Sequence, residues 1–409
     1  MSTARIRSTE DGRESEGAAA ELLAPKWFDK NPALSNEDNF EQLRASLRAA
    51  RGQYLAHGMS TAWQHSTPTE GLVANYGPAL IDRAVLDALC RALGISFFES
   101  IKKNVVGARI FEAMDLGAFF SNLKPSRRIA ARHTVGLVDP ITAAEQNARV
   151  NDGLPETLEE VVARYGQRWF KLKVGGDARA DVERLSAIAS VLDRIEGPYH
   201  ASLDGNEQYD DFDGVAELWS KMKAAPRLER LVASIIFLEQ PVKRQKALQQ
   251  RITGIDKPVI IDESDDSLDA FPRAKALGYM GVSSKTCKGL YKSLLNSARC
   301  HAWGNGYFMS GEDLTIQPGL ALQQDLALVS LLGLTHVERN GHHYVNGMAG
   351  LPEAEQAAFL QAHPDLYERS HGAVRVRIEA GQMAIGSLGC AGFATSAMPD
   401  WASMKEMRP

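Results

Sequence analysis

Residues 169–204 read WFKLKVGGDARADVERLSAIASVLDRIEGPYHASLD. The stretch opens on a short alternating run, Trp169 to Val174. It passes through an amphipathic segment, Ala178 to Ile195, introduced by Asp177 at a capping position, and closes on a second short run, His200 to Leu203. Period-2 alternation followed by 3.6-residue periodicity and a second strand-like run is the pattern of a βαβ unit, whose two strands lie parallel in one sheet.

The same pattern extends outward. Before this unit lies Ile129 to Val138. After it come Ser234 to Leu238, Pro258 to Ile261, Tyr279 to Ser284, Gly306 to Ser310 and Thr335 to Glu338, for eight runs in all. Helix-like segments lie between them: Gly214 to Ala224, Ser267 to Leu277, Leu290 to Trp303 and Ile316 to Leu332. Eight alternating units predict an α/β protein with a (β/α)8 barrel of the TIM type, with an open doubly wound sheet as the alternative, because periodicity does not show closure. The barrel is expected over residues 126–350. Residues 1–125 read as a separate capping domain, with helices over Asn36 to Arg51 and Gly77 to Leu93 and little regular signal in the first thirty-odd residues. The segment 351–409, with a helix-like Pro352 to Glu368 and strand-like Ala373 to Ile378 and Gln382 to Ser387, is expected to return to the cap, making it α+β.

Composition narrows the classes. The 409 residues are 44% apolar and 24% charged, as in ordinary globular chains, and 46 basic against 51 acidic residues give a net charge of −5, no footprint for nucleic acid. Cys90, Cys287, Cys300 and Cys390 are scattered, which fits a reducing cytoplasm. No stretch approaches the ~20 apolar residues of a membrane span, and Met1 to Glu16 carries no apolar leader. The expectation is a cytoplasmic protein without membrane or nucleic-acid partners.

Barrels of this kind gather chemistry at the C-terminal ends of their strands. Alternation in the second run turns Lys171 and Lys173 to the face opposite Phe170, Leu172 and Val174, hence into the barrel; on their own they read more readily as a solvated edge strand. The third run ends at Asp204-Gly205-Asn206, the fourth at Glu239-Gln240-Pro241, and the fifth at Asp262-Glu263-Ser264. Singly, such acids serve as helix caps or surface charges. Together, three carboxylates at one rim repel one another, and a hard divalent cation with open positions, Mg²⁺, is the usual remedy; the lack of His or Cys there argues against zinc. The sixth run adds Lys285. Lysines on both sides of a metal suit removal of a proton alpha to a carboxylate, with the metal as Lewis acid and a lysine whose pKa is pushed from about 10.4 toward neutrality as base.

This constellation, with Ala79-Leu80-Ile81-Asp82-Arg83-Ala84-Val85-Leu86-Asp87-Ala88-Leu89 ahead of the barrel, resembles the enolase superfamily, in its muconate lactonising enzyme and dipeptide epimerase subgroup within the mandelate racemase/muconate lactonising enzyme family. The resemblance implies that Asp204, Glu239 and Asp262 ligate Mg²⁺, with Glu263 competing for the third place. It implies that Lys173 is the base on one face of the substrate and Lys285 the acid or base on the other, that Lys171 helps hold the substrate carboxylate, and that Asn206 and Glu263 stand behind the ligands. Glu312 and Glu338 are then candidates for touching the substrate. The implied enzyme forms a metal-stabilised enediolate from a small carboxylate, as a racemase, epimerase or cycloisomerase, with an acid-sugar type dehydratase (lyase) as alternative; many relatives are oligomers. A Schiff-base aldolase and a barrel without catalysis are weaker readings. The seventh run, ending Met309-Ser310-Gly311-Glu312-Asp313, lacks the subgroup His of mandelate racemases, and the eighth, His336-Val337-Glu338-Arg339-Asn340, lacks the Asp-x-Asp of dipeptide epimerases. The family's N-terminal strands are expected to be absent, the chain entering the cap near Asp11 to Glu16. Glu312, His336, His342 and His343 read as structural as readily as functional, and His133 reads as a core or rim residue rather than a ligand.

Overall fold

The computed structural model describes residues 2–7 (backbone only), 12, 14–66, 69–146, 148–304, 306–313, 317–342 and 345–405. Eight parallel strands run Arg128–Val135, Trp169–Lys173, His200–Asp204, Ile235–Glu239, Val259–Ile261, Gly281–Ser284, Phe308–Gly311 and His336–Glu338. The eighth pairs with the first, His336 opposite Ala130 and Glu338 opposite Arg132, so the sheet is a closed barrel and the open alternative is discarded. Register then fixes which side chains share a level. Lys173 stands opposite Asp204, and Asp204 opposite Glu239. Glu239 stands opposite Ile260, which places Asp262 one inward step higher.

The helices follow their local chemistry. Ala178–Leu192 begins at Asp177, whose carboxylate accepts from the Arg179 and Ala180 N–H groups. Leu320–Leu331 is buried on every side, because it lies between barrel and cap; the Gln324 amide donates to the Ala18 carbonyl of the cap.

The cap contains helices Asn36–Ala56 and Leu72–Leu93. The second starts five residues earlier than the sequence pattern suggests and runs through Pro78. Pro78 has no N–H for the Ala74 carbonyl, and the Ser46 hydroxyl donates to that carbonyl instead, at 2.9 Å. Gly77 lets the two helices meet there, since a Cβ would lie 2.3 Å from the Ser46 carbonyl oxygen. The expected absence of N-terminal strands is corrected: Ser2–Arg7 and Glu14–Ala19 pair antiparallel, the second packing on helix Leu72–Leu93. These strands are short and rich in charge, Ser and Ala, so alternation gives little signal.

In the C-terminal segment, the helix expected to reach Glu368 stops at Ala362, ahead of Pro364, and the chain turns into a hairpin of Tyr367–Ser370 and Ala373–Val376. Gln382–Ala384 joins the barrel sheet, antiparallel to the start of the first strand. Only then does the tail reach the cap, where Phe393 stacks on Phe97 at 4.0 Å and donates its backbone N–H to Asp87. Among the described residues no helix is long and apolar enough to cross a membrane.

Candidate active site

Inward-facing residues stack in layers. Near the floor, the Trp169 ring lies between His200 and His336, with centroids 4.3 and 4.2 Å away. Above it the barrel becomes ionic.

Lys171 is 1% exposed and lies at the centre of four carboxylates from four strands or strand ends. Its ammonium is 2.7 Å from Asp204, 2.9 Å from Glu239, 2.8 Å from Glu312 and 3.0 Å from Glu338. Arg132, also buried, pairs with Glu312, and the Ser310 hydroxyl donates to the same carboxylate at 2.6 Å. Thr134 donates to Glu338 at 2.5 Å.

At the mouth, Lys173 is 20% exposed and reaches Asp204 at 2.5 Å and the Asn206 amide oxygen. On the far wall Lys285 pairs with Asp262 at 2.6 Å and lies 4.3 Å from the centroid of the Trp27 ring. Lys288 supports Asp262 from behind, 3.4 Å from its carboxylate, and donates to Ser283 at 2.7 Å. Glu263 accepts from the Asn206 amide at 3.1 Å and pairs with Lys30, a cap residue, at 3.2 Å. Lys30 also pairs with Glu207 at 2.6 Å, and Arg244, bound to Glu207, donates to the Trp27 and Phe28 carbonyls. The cap segment around Trp27 is thereby fastened over the mouth.

The electrostatics separate the acids. Burial would raise the Asp204 carboxyl, but the Lys171 and Lys173 ammoniums outweigh it and hold it below the usual range. Asp262 is held down in the same way by Lys285 and Lys288. Glu239 goes the other way: burial, then the negative charges of Asp204 and Glu312, push it well up. Burial and Asp262 also raise Glu263. Burial alone would lower Lys285, yet Asp262, with Glu239 and Glu263 further off, holds it above the ordinary lysine value.

All ten candidate site residues therefore come to one end of the barrel. Lys171 is enclosed by four carboxylates. His133 faces outward from its strand, since Arg132 and Thr134 alternate inward; His342 bonds Tyr165 and the Pro155 carbonyl; His336 sits at the floor. His343 lies outside the described residues. Sequence reading missed Arg132, which alternation in the first strand would have turned inward, and Lys288, one turn beyond Lys285. Lys30 and Trp27 carry no local signal, because only the cap's tertiary placement brings them to the mouth.

The residues fit a divalent cation in donor chemistry: Asp204, Glu239 and Asp262 are hard oxygen donors, fully buried, and Glu239 Oε2 accepts no well-aligned hydrogen bond although Lys171 is near. In this arrangement their oxygens turn to the lysines, and among the described residues no group of three acidic, His or Cys side chains is arranged so that it could hold a metal ion.

The sequence model of enolase C-terminal domain-like proteins matches residues 153–384, more than half of the chain. The chain belongs to that family. It is an enolase-superfamily enzyme, and Mg²⁺ is the metal typical of the superfamily. Solved structures share the fold at low identity. A mandelate racemase/muconate lactonizing enzyme from Roseovarius nubinhibens ISM superposes with a TM-score of 0.58 at 17% identity, covering 99% of this chain and 91% of that one. An isomerase from Streptomyces coelicolor A3(2) gives 0.55 at 17%, covering 98% and 89%. An enolase-superfamily member from Roseovarius nubinhibens ISM, complexed with magnesium, gives 0.55 at 15%, covering 99% and 89%. None of the curated proteins matches the chain in sequence.

Proposed function

We propose that the enzyme removes the α-proton of a small carboxylate substrate, with Mg²⁺ held by Asp204, Glu239 and Asp262, and that it is a racemase, epimerase or cycloisomerase. The observation that carries this reading is that the Lys173 and Lys285 ammoniums come from the ends of the second and sixth strands, on either side of the carboxylate ring. When bound, the metal supplies Lewis-acid stabilisation of the negative charge that builds on the substrate carboxylate.

The chain's own residues do the rest. A planar enediolate between the two walls offers one face to each lysine, so one takes the proton and the other delivers one to the opposite face. Asn206 and Asp204 hold Lys173 at the mouth, and Trp27 covers Lys285 and excludes water there. Lys171, with Arg132, Glu312 and Glu338, fixes the charge beneath the site. In this reading residues 126–350 are the catalytic barrel, and residues 1–125 with parts of 351–409 form the cap that closes it.

Dehydration of an acid sugar is the second reading, favoured by one asymmetry: Lys173 is 20% exposed and Lys285 only 4%, so the lysines need not share one task equally.

Incubation of the Mg²⁺-loaded enzyme with a library of α-substituted carboxylates in heavy water tests the proposal. Deuterium should enter the α-position of at least one class, and Asp204→Asn should lose both that exchange and calorimetric Mg²⁺ binding. Metal binding unchanged in Asp204→Asn contradicts the ligand assignment.

A further inference from the structure

A cavity of about 140 Å³ lies at the seam between cap and barrel, with Lys288 as the wall it shares with the acids of the barrel mouth. That is close to the ~150 Å³ that admits a benzene-sized guest. The cap contributes Trp63 and Asp82; the barrel contributes Lys288, Tyr291, Lys292 and Leu295.

Two buried groups make this more than a packing gap. Asp82, 4% exposed, accepts from the Ser66 hydroxyl at 2.7 Å and from the Tyr54 phenol, yet no cation pairs with it among the described residues. Its neighbour Arg83 turns away to Glu21 at 2.9 Å. Burial pushes the Asp82 carboxyl up to about 7. Tyr291, 5% exposed, has a hydroxyl with no hydrogen-bond partner among the described residues. The two ammoniums in the wall pair with acids other than Asp82: Lys288 with Asp262 and with Asp265 at 3.0 Å, Lys292 with Asp265 at 3.3 Å. Trp63 meets Tyr291 edge-on, with centroids 5.0 Å apart, and supplies an aromatic surface.

We propose that this seam cavity binds a small organic ammonium ion with a compact apolar body, the cation between Asp82 and the Tyr291 hydroxyl and the body against Trp63 and Leu295. A buried carboxylate with hydrogen bonds but no paired cation is costly, and a cation both neutralises it and gains from the aromatic walls. A neutral alcohol supplies hydrogen bonds but leaves the charge, and an anion adds a second negative charge beside Asp82. The ligand class is therefore opposite in charge to the carboxylate substrate proposed for the barrel, and the site stands or falls on its own residues.

The test titrates the full-length protein with benzylamine, benzyl alcohol and benzoate, probes of nearly equal size, by calorimetry and ligand-observed NMR. Benzylamine should bind at least tenfold more tightly than the other two. Asp82→Asn should erase that preference, and Tyr291→Phe should weaken benzylamine severalfold. Leu295→Phe fills the cavity from the barrel side and leaves Asp82 in place, so it should remove binding while circular dichroism shows a folded chain; it decides the matter should Asp82→Asn fold poorly. Equal binding of the three probes, no binding of any, or benzylamine binding unchanged in Leu295→Phe overturns the proposal.

Discussion

Two levels of the barrel, one side-chain step apart, use the same residue types to opposite ends. In the lower level Lys171 is buried and touches four carboxylates; at the mouth Lys173 is partly exposed and touches one carboxylate and an amide. Lys285, across the barrel, also pairs with a single carboxylate of the ring. A lysine enclosed by several acids is a fixed counter-charge, because releasing it strands negative charge in a low-dielectric interior. A lysine with one partner beside open space can exchange that partner for a substrate. The difference between Lys171 and Lys173 is thus one of partner number and depth.

Three substitutions separate the two levels experimentally. The largest effect is expected from Lys171→Met, which leaves four buried acids without their shared ammonium: a loss of about 3–5 kcal/mol in chemical denaturation without metal. A loss under 1 kcal/mol breaks the comparison, since Lys171 would then be no more embedded than a surface lysine.

Glu312→Gln comes next. Burial would raise the Glu312 carboxyl, but Arg132 and Lys171 outweigh it and hold it at about 2. A carboxyl lowered in the folded state stabilises the protein fully above the ordinary carboxylate range, and that stability is lost as pH falls toward the folded value. The variant should therefore be less stable than the parent by on the order of 3 kcal/mol at pH 7. The gap should narrow steadily below about pH 4. A gap that does not change between pH 7 and pH 3 assigns the loss to packing instead.

The smallest effect is expected at the edge of the mouth. Lys30 is 34% exposed, so its pairs with Glu207 and Glu263 are screened, and Lys30→Ala should cost at most about 1 kcal/mol, less at high salt. A loss as large as that of Lys171→Met would show that the cap segment is as much a part of the ionic core as the lower level.

Much of this was legible in sequence, for identifiable reasons. The eight strands and most barrel helices follow from periodicity, and the carboxylates at Asp204, Glu239 and Asp262 from their common position at strand ends. The depth of Lys171 was not legible, because alternation gives the face of a residue but not how many charges surround it. Arg132 was legible in principle from the same alternation and was passed over. Lys30 and Trp27 depend on the path of the cap over the mouth, which no local pattern in Ala24 to Ala33 encodes. The N-terminal strands were missed because they are weakly apolar and gain their order by packing on helix Leu72–Leu93.

In the proposed reaction Lys173 and Lys285 address opposite faces of one substrate carbanion. The decisive measurement is α-proton exchange in heavy water with each enantiomer of a substrate from the carboxylate library, comparing Lys173→Ala and Lys285→Ala. Each variant should lose turnover by roughly 10²- to 10⁴-fold. In a racemase or epimerase, each should still exchange the α-proton of the one enantiomer its surviving lysine reaches, with opposite preference in the two variants. In a dehydratase, one lysine alone should be indispensable for exchange. Small and equal losses in both variants, well under tenfold, would contradict the claim and remove both lysines from the chemistry.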